Sequence, residues 1–228
     1  MMNRQWSSWR TVERVLLSAT LAVCIFVAAQ PLWQHLVAWQ SQRTLQSQWQ
    51  QAAKAAHSSV QNAHKATSTR SPGRANPSLS RPVAQPPVED DSQIALWPLT
   101  RLSCSKMKLD AIVVDGTDAA QLQSGPGHEI GTSWPGGNNC VIAAHRNAYG
   151  WWFYHLNLLK KGDSITLQVS DRKLTYQVVA TRTVSVRDTS ILHWRAKNAS
   201  RLTLYTCTLP KTTQRLVVVA NLKSSQPS

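Results

Sequence analysis

Hydrophobic residues are distributed along this chain in two different ways. Near the start they form one block: residues 15–33, VLLSATLAVCIFVAAQPLW, carry no charge. A helix needs about 20 apolar residues to cross a bilayer core, and PLWQHLVAW extends the block to Trp39. The strongly apolar part, Val15–Ala29, has the length of a signal-peptide core, and Val27 and Ala29 suit a small-residue cleavage rule. The continuation beyond it, with rings at Trp33, His35 and Trp39 suited to a membrane–water interface, favours an uncleaved anchor. From Ile94 onward the apolar residues come instead in short runs: DAIVVD (110–115), CVIAAH (140–145), SITLQV (164–169), KLTYQVVATRTVSV (173–186), RLTLYTC (201–207) and RLVVVANL (215–222). Turn signals separate them at Asp115-Gly116, Gly125-Pro126-Gly127, residues 135–139 (PGGNN) and Lys161-Gly162-Asp163. Helical spacing of Trp152, Leu156 and Leu159 predicts a short helix over 151–159, and another is expected over 118–123. Many short strands with few helices predict a mostly β domain, a single barrel or sandwich.

Between the two textures lies polar chain. Residues 40–66 are rich in Gln and Ala; they can continue as a helix but have little apolar surface to bury. Residues 67–93 hold Pro72, Pro77, Pro82, Pro86 and Pro87 among Ser, Thr and Arg, a composition that makes an extended spacer. The expected organisation is a basic tail at 1–14, a membrane anchor at 15–39, a spacer at 40–93 and a β domain at 94–228. Arg4, Arg10 and Arg14 against the single acid Glu13 keep the tail cytoplasmic and direct everything after the anchor outside.

Charge and cysteine content narrow the function classes. A formal charge of +14 suits an anionic partner or a membrane surface. No zinc-finger spacing, phosphate-binding glycine loop or aromatic–basic RNA motif accompanies it, so nucleic-acid binding is not expected. Cys24, Cys104, Cys140 and Cys207 are scattered, which excludes a C-x-x-C metal cluster and a disulfide scaffold. Cys24 falls in the anchor as an apolar side chain. Cys104 and Cys140 can be two thiols or, outside the cell, a disulfide; spacing does not decide.

Two strand ends carry candidate chemistry. VIAAH stops at His145 and LTLYT stops at Cys207, with Arg215 opening the next run. If 201–207 and 215–222 form a hairpin, Arg215 lies near Cys207 across its mouth. A thiolate is a nucleophile, an imidazole can protonate a leaving amine, and a guanidinium can hold an oxyanion; together they suit acyl transfer through a thioester. By themselves, a cysteine in a strand is more often core than catalyst, and a histidine at a strand end is more often a structural residue.

The stretch LTLYTC, followed eight residues later by Arg215, resembles the T-L-x-T-C…R signature of sortases, the membrane-anchored cysteine transpeptidases of bacterial surfaces. LQSGPGHEIGTSWPGGNNCVIAAHRN is similar to the sortase region in which a G-P-G-H and a P-G turn lead to a strand ending in His-Arg. WWFYHLNLLKKGDSITL resembles the aromatic-L-x-x-L-x-x-GD element after it, and RLVVVANL the final strand. The resemblance runs in order over Leu99–Leu222 and is of the class D/E or Gram-negative type. It implies a closed sortase-type barrel of about eight strands, no cofactor, Cys207 as nucleophile, His145 as general acid and base, and Arg215 as oxyanion and peptide-positioning group. Thr206 and Thr208 flank the nucleophile as substrate contacts. The implied substrate is a protein with a Leu-Pro-x-Thr-Gly-like C-terminal sorting signal, cleaved between Thr and Gly and joined to an amine of a peptidoglycan precursor or a pilin-like subunit.

Departures and rivals remain. Thr208-Leu209-Pro210 leaves the commoner short turn of the family. The loop RDTSILHWRAKNAS has the single acid Asp188, so the calcium site of some relatives is not expected. His128 is the nearest rival to His145, and the resemblance places it on the approach to the site; His155 and His193 read as structural, Asp115 and Asp163 as turn formers. A cysteine endopeptidase that only hydrolyses, or a non-catalytic anchored module binding wall polymer, are the alternative functions.

Overall fold

A computed structural model describes residues 3–68, 99–169, 172–194, 200–210 and 213–227. The proline-rich stretch expected as a spacer, from residue 69 onward, and the first residues of the β domain lie outside the described residues. Helix α1 runs from Asn3 to Ser68 through Pro31. Eight strands follow: β1 (Thr100–Cys104), β2 (Leu109–Asp115), β3 (Gly127–His128), β4 (Asn139–Ala143), β5 (Ser164–Val169), β6 (Arg172–Ser185), β7 (Arg201–Cys207) and β8 (Gln214–Pro227). They close into a barrel in the order β1-β2-β3-β4-β7-β8-β6-β5, β5 pairing back onto β1. Closure gives every strand a neighbour on each side.

The barrel forms because side chains alternate along each strand. One parity fills the interior: Leu102 and Cys104, Ala111 and Val113, Cys140 and Ile142, Leu174 and Tyr176, Leu202 and Leu204, Val218 and Ala220. Phe153, Leu156 and Leu159 join this core from the segment after β4. That segment is a set of turns with a short 3-10 helix at Leu156–Leu158 where the spacing predicts a helix over 151–159. The expected helix at 118–123 is α2, Ala119–Ser124. Strands β1 and β3 carry no run long enough to announce them in the sequence.

Two local features close the barrel. Gly127 sits so close to β2 that a Cβ there would fall 2.1 Å from the carbonyl oxygen of Gly116, so the Gly-Pro-Gly-His stretch needs glycine for the strands to approach. The buried Tyr176 accepts a hydrogen bond from the Gly136 backbone N–H at 2.8 Å, anchoring the Pro-Gly-Gly turn; burial raises its phenol to about 12.

The outer face of β7 and β8 holds a second, smaller cluster. Ile191, Val217 and Val219 are buried with Val184, Leu192 and Tyr205 against them. The segment covering this face is fastened by Asn139, whose amide donates to the Ile191 carbonyl at 2.8 Å and whose oxygen accepts from Thr203 Oγ1 at 2.8 Å.

Helix α1 does not leave the barrel where the apolar block ends. Ala38 and Gln42 are buried. Gln42 Nε2 donates to the carbonyls of Ile112 and Ser124, both at 2.9 Å, and its Oε1 accepts the Ile112 N–H at 2.8 Å. The sequence offers little apolar surface here, and the contact is made by a small residue and a fully used amide.

Candidate active site

Cys207 and Arg215 are direct partners across the antiparallel β7–β8 pair. Opposed residues of such a pair share a face, with Cβ atoms about 5 Å apart. The face is the outer one: Tyr205, two residues before Cys207, packs with Val217, two after Arg215. Cys207 and Arg215 are both half-buried.

His145 reaches the same place along a different route. Strand β4 lies parallel to β7 with Ala143 opposite Tyr205, and the register continues beyond the strand end. The Ala144 N–H donates to the Tyr205 carbonyl at 3.3 Å, and Thr206 Oγ1 donates to the Ala144 carbonyl at 2.7 Å. His145 follows Ala144 past the end of β4 as Cys207 follows Thr206 at the end of β7. The His145 carbonyl accepts the Phe153 N–H at 3.2 Å, and its ring lies 5.3 Å from that of Tyr149. Partial burial lowers the imidazole pKa below its ordinary value, so the ring is neutral near pH 7.

Three consecutive residues in the loop after His145 have positive φ: Tyr149 at 43°, Gly150 at 88° and Trp151 at 54°. Gly150 also lies under the Trp152 ring, where a Cβ would come within 2.6 Å of ring carbons. Two non-glycine residues in this region store strain, a feature concentrated at functional loops.

The Thr206 side chain is buried, on the inward parity, and its hydroxyl is spent on the Ala144 carbonyl. It holds the frame of the site. Thr208 lies after the strand, its N–H and Oγ1 both directed to the Gln214 carbonyl, at 3.2 and 3.4 Å. His128 lies apart, its Nδ1 3.3 Å from Asp115 Oδ1 and its Nε2 3.0 Å from Thr132 Oγ1; burial lowers its pKa despite the facing carboxylate. His155 stacks edge-on against Tyr154. All four cysteines are free thiols; Cys104 and Cys140 are buried in the barrel core, where burial raises both. Among the described residues no cluster of three His, Cys, Asp or Glu side chains suits a metal.

The residue missed from sequence is Glu129. Its carboxylate accepts from Tyr205 Oη at 2.6 Å and from Thr117 Oγ1 at 3.0 Å. Tyr205, on the face of Cys207 and Arg215, is thereby pinned from across β4. The alternation of β7 points to Tyr205; nothing local to Glu129 reveals a partner 76 residues away.

A closed eight-stranded barrel bearing a cysteine and an arginine abreast on its outer wall, with a histidine entering from the parallel neighbour, defines a sortase-type barrel. The sequence profile of the sortase domain matches residues 102–223, more than half of the chain, and the chain belongs to the sortase family. It is similar to Sortase D of Bacillus subtilis (strain 168), with 34% identity over 107 residues, 46% of this chain and 52% of that protein. The match thus spans about half the length of that curated relative. Among solved structures it is similar to sortase A of Listeria monocytogenes, with a TM-score of 0.54, 25% identity and coverage of 58% of this chain and 91% of that one. It is likewise similar to sortase E of Streptomyces avermitilis, with a TM-score of 0.52, 26% identity and coverage of 57% and 90%.

Proposed function

We propose that this protein is a membrane-anchored sortase transpeptidase acting on proteins with a Leu-Pro-x-Thr-Gly-like C-terminal sorting signal. The observation that carries the reading is the cross-strand pairing of Cys207 with Arg215. In this reading Cys207 Sγ attacks the Thr carbonyl carbon as thiolate. Its proton passes to the neutral His145 ring as the attack begins. Arg215 donates to the oxyanion of the tetrahedral intermediate. His145 returns the proton to the leaving Gly amine, and a thioester remains on Cys207. An amine acceptor then attacks the thioester carbonyl, gives a proton to His145, and releases the thiolate with a new amide. Thr206 acts as a positioning residue through the Ala144 carbonyl.

The candidate anchor supports the cellular part of the proposal. Helix α1 includes a segment from Leu16 long and apolar enough to cross a membrane, its apolar window exposed along its length. With the arginine-bearing tail in the cytoplasm, the barrel stands outside, where surface proteins and peptidoglycan precursors or pilin-like subunits are substrates.

The test is the Cys207→Ala chain incubated with a Leu-Pro-x-Thr-Gly peptide, with and without an amine acceptor such as triglycine. The expected result is loss of all cleavage with an unchanged thermal transition. Cleavage persisting in this variant overturns the assignment of Cys207. In the wild-type chain, hydrolysis with every acceptor and no joined product overturns transpeptidation and leaves an endopeptidase.

A further inference from the structure

The loop that follows His145 exposes large apolar side chains: Trp151, Tyr154 and Leu158 are 45, 43 and 42% exposed. Trp151 and Tyr154 stack on one another with centroids 5.6 Å apart. Their position is fixed from two sides. On one, the Phe153 N–H holds the His145 carbonyl and the positive-φ run Tyr149–Trp151 sets the loop's path. On the other, the Trp151 ring meets the His35 ring of α1 edge-on at 4.8 Å.

His35 lies near the end of the anchor expected over 15–39, four residues before Trp39 and two residues beyond Trp33. At 1.5 Å per residue, that is about 3 Å along the helix axis. Residues 16–33 make about 27 Å of helix, close to the thickness of a hydrocarbon core. The aromatic pair therefore stands at the level where the helix leaves the apolar layer. Tryptophan and tyrosine favour that level because the ring is apolar and its polar tip stays wet. Leu36 and Trp39, 49 and 50% exposed, continue the apolar surface on α1. Arg43 stacks over Trp39 at 3.5 Å, placing a cation where anionic headgroups would lie. The attachment is stiff, because Gln42 closes three hydrogen bonds with β2 and the Ser124 carbonyl.

We infer that the barrel is seated on the leaflet from which α1 emerges, with Trp151 and Tyr154 inserted at the interface of an anionic phospholipid surface. The loop presenting His145 is then the membrane-facing loop, and the candidate site works against the bilayer instead of at the end of a free tether. Gln42 is the clamp that maintains this pose. The inference rests on the reading of α1 as a membrane anchor.

The experiment places a nitroxide on single cysteines in the full chain, reconstituted in vesicles of equal parts phosphatidylcholine and phosphatidylglycerol. Cys24→Ala and Cys207→Ala form the background, since Cys104 and Cys140 are buried. Labels go to Tyr154→Cys, to Phe26→Cys in the span, and to Gln226→Cys, at the end of β8 remote from Arg215. The reading is accessibility to oxygen relative to a water-soluble nickel chelate. The expected ratio is high at 26, low at 226 and severalfold above the latter at 154; adding Gln42→Leu lowers it at 154. A high ratio at 26 with equal low ratios at 154 and 226 overturns the seating alone. A low ratio at 26 overturns the anchor reading and the seating with it. A ratio at 154 unmoved by Gln42→Leu overturns the clamp.

Discussion

Thr206 and Ala144 are joined by a 2.7 Å hydrogen bond from the threonine hydroxyl to the alanine carbonyl, inside the barrel wall. Each is the residue just before a candidate catalytic side chain, Cys207 and His145. A single buried bond thus fixes the relative height of two chain ends that enter the site from different strands. Replacing Thr206 with Val keeps the shape and leaves a buried carbonyl without its partner, at a cost of about 1–3 kcal/mol. The expected result is a lowered thermal transition and a fall of about tenfold to a hundredfold in peptide cleavage, the range of a small misplacement of reacting groups. Thr206→Ser, which retains the hydroxyl, is expected to restore most of both. Activity of Thr206→Val equal to wild type removes the positioning role.

Arg215 is expected to act through its forked donors as well as its charge. Arg215→Lys and Arg215→Ala should both lower kcat/KM by about 10² to 10³, the loss typical of removing one oxyanion donor. The thermal transition should change little, because the side chain is only half-buried. A lysine variant with wild-type kcat/KM, measured on the same peptide, contradicts this role for the guanidinium.

Tyr205 and Glu129 test whether the outer face is pinned from across β4. Tyr205→Phe leaves the Glu129 carboxylate with Thr117 alone, and Glu129→Gln removes the charge that accepts the phenol proton. Each is expected to destabilise by about 1–3 kcal/mol, and the double variant by less than their sum, because both disrupt one contact. Strict additivity in urea unfolding contradicts the coupling.

His128 gives stability a pH dependence whose sign follows from its burial. Its folded pKa is lowered, so the unfolded chain takes up the proton first. Stability is therefore full above the unfolded value, about 6.5, and falls as pH drops below it toward the folded value. His145, also lowered by burial, acts in the same direction. Thermal transitions between pH 7.5 and 5 are expected to fall in the wild type and to fall less steeply in His128→Gln, where Asp115 and Thr132 remain as partners for an amide. An equally steep fall in His128→Gln shows that other groups carry the dependence.

Much of this protein follows from local pattern. The uncharged block fixes a long apolar helix, because nothing in it requires water. The alternation in residues 110–115, 164–169, 201–207 and 215–222 fixes strands with one face for a core. The candidate Cys207 and Arg215 are legible together because a hairpin is a local structure, its register set by a short turn. What only the tertiary structure decided are the pairings between distant segments. The parallel pairing of β4 with β7 sets Ala143 beside Tyr205, two residues before His145 and Cys207, although 62 residues separate them. Parity within that sheet turned Thr206 inward and Tyr205 outward toward Glu129. Strands β1 and β3 exist because neighbours supply their hydrogen bonds, and Gln42 docks on β2 because backbone groups there were left to be satisfied. Periodicity reports what a segment must bury; which other segment buries it depends on barrel closure, where every strand's hydrogen bonds and every inward side chain must be met at once.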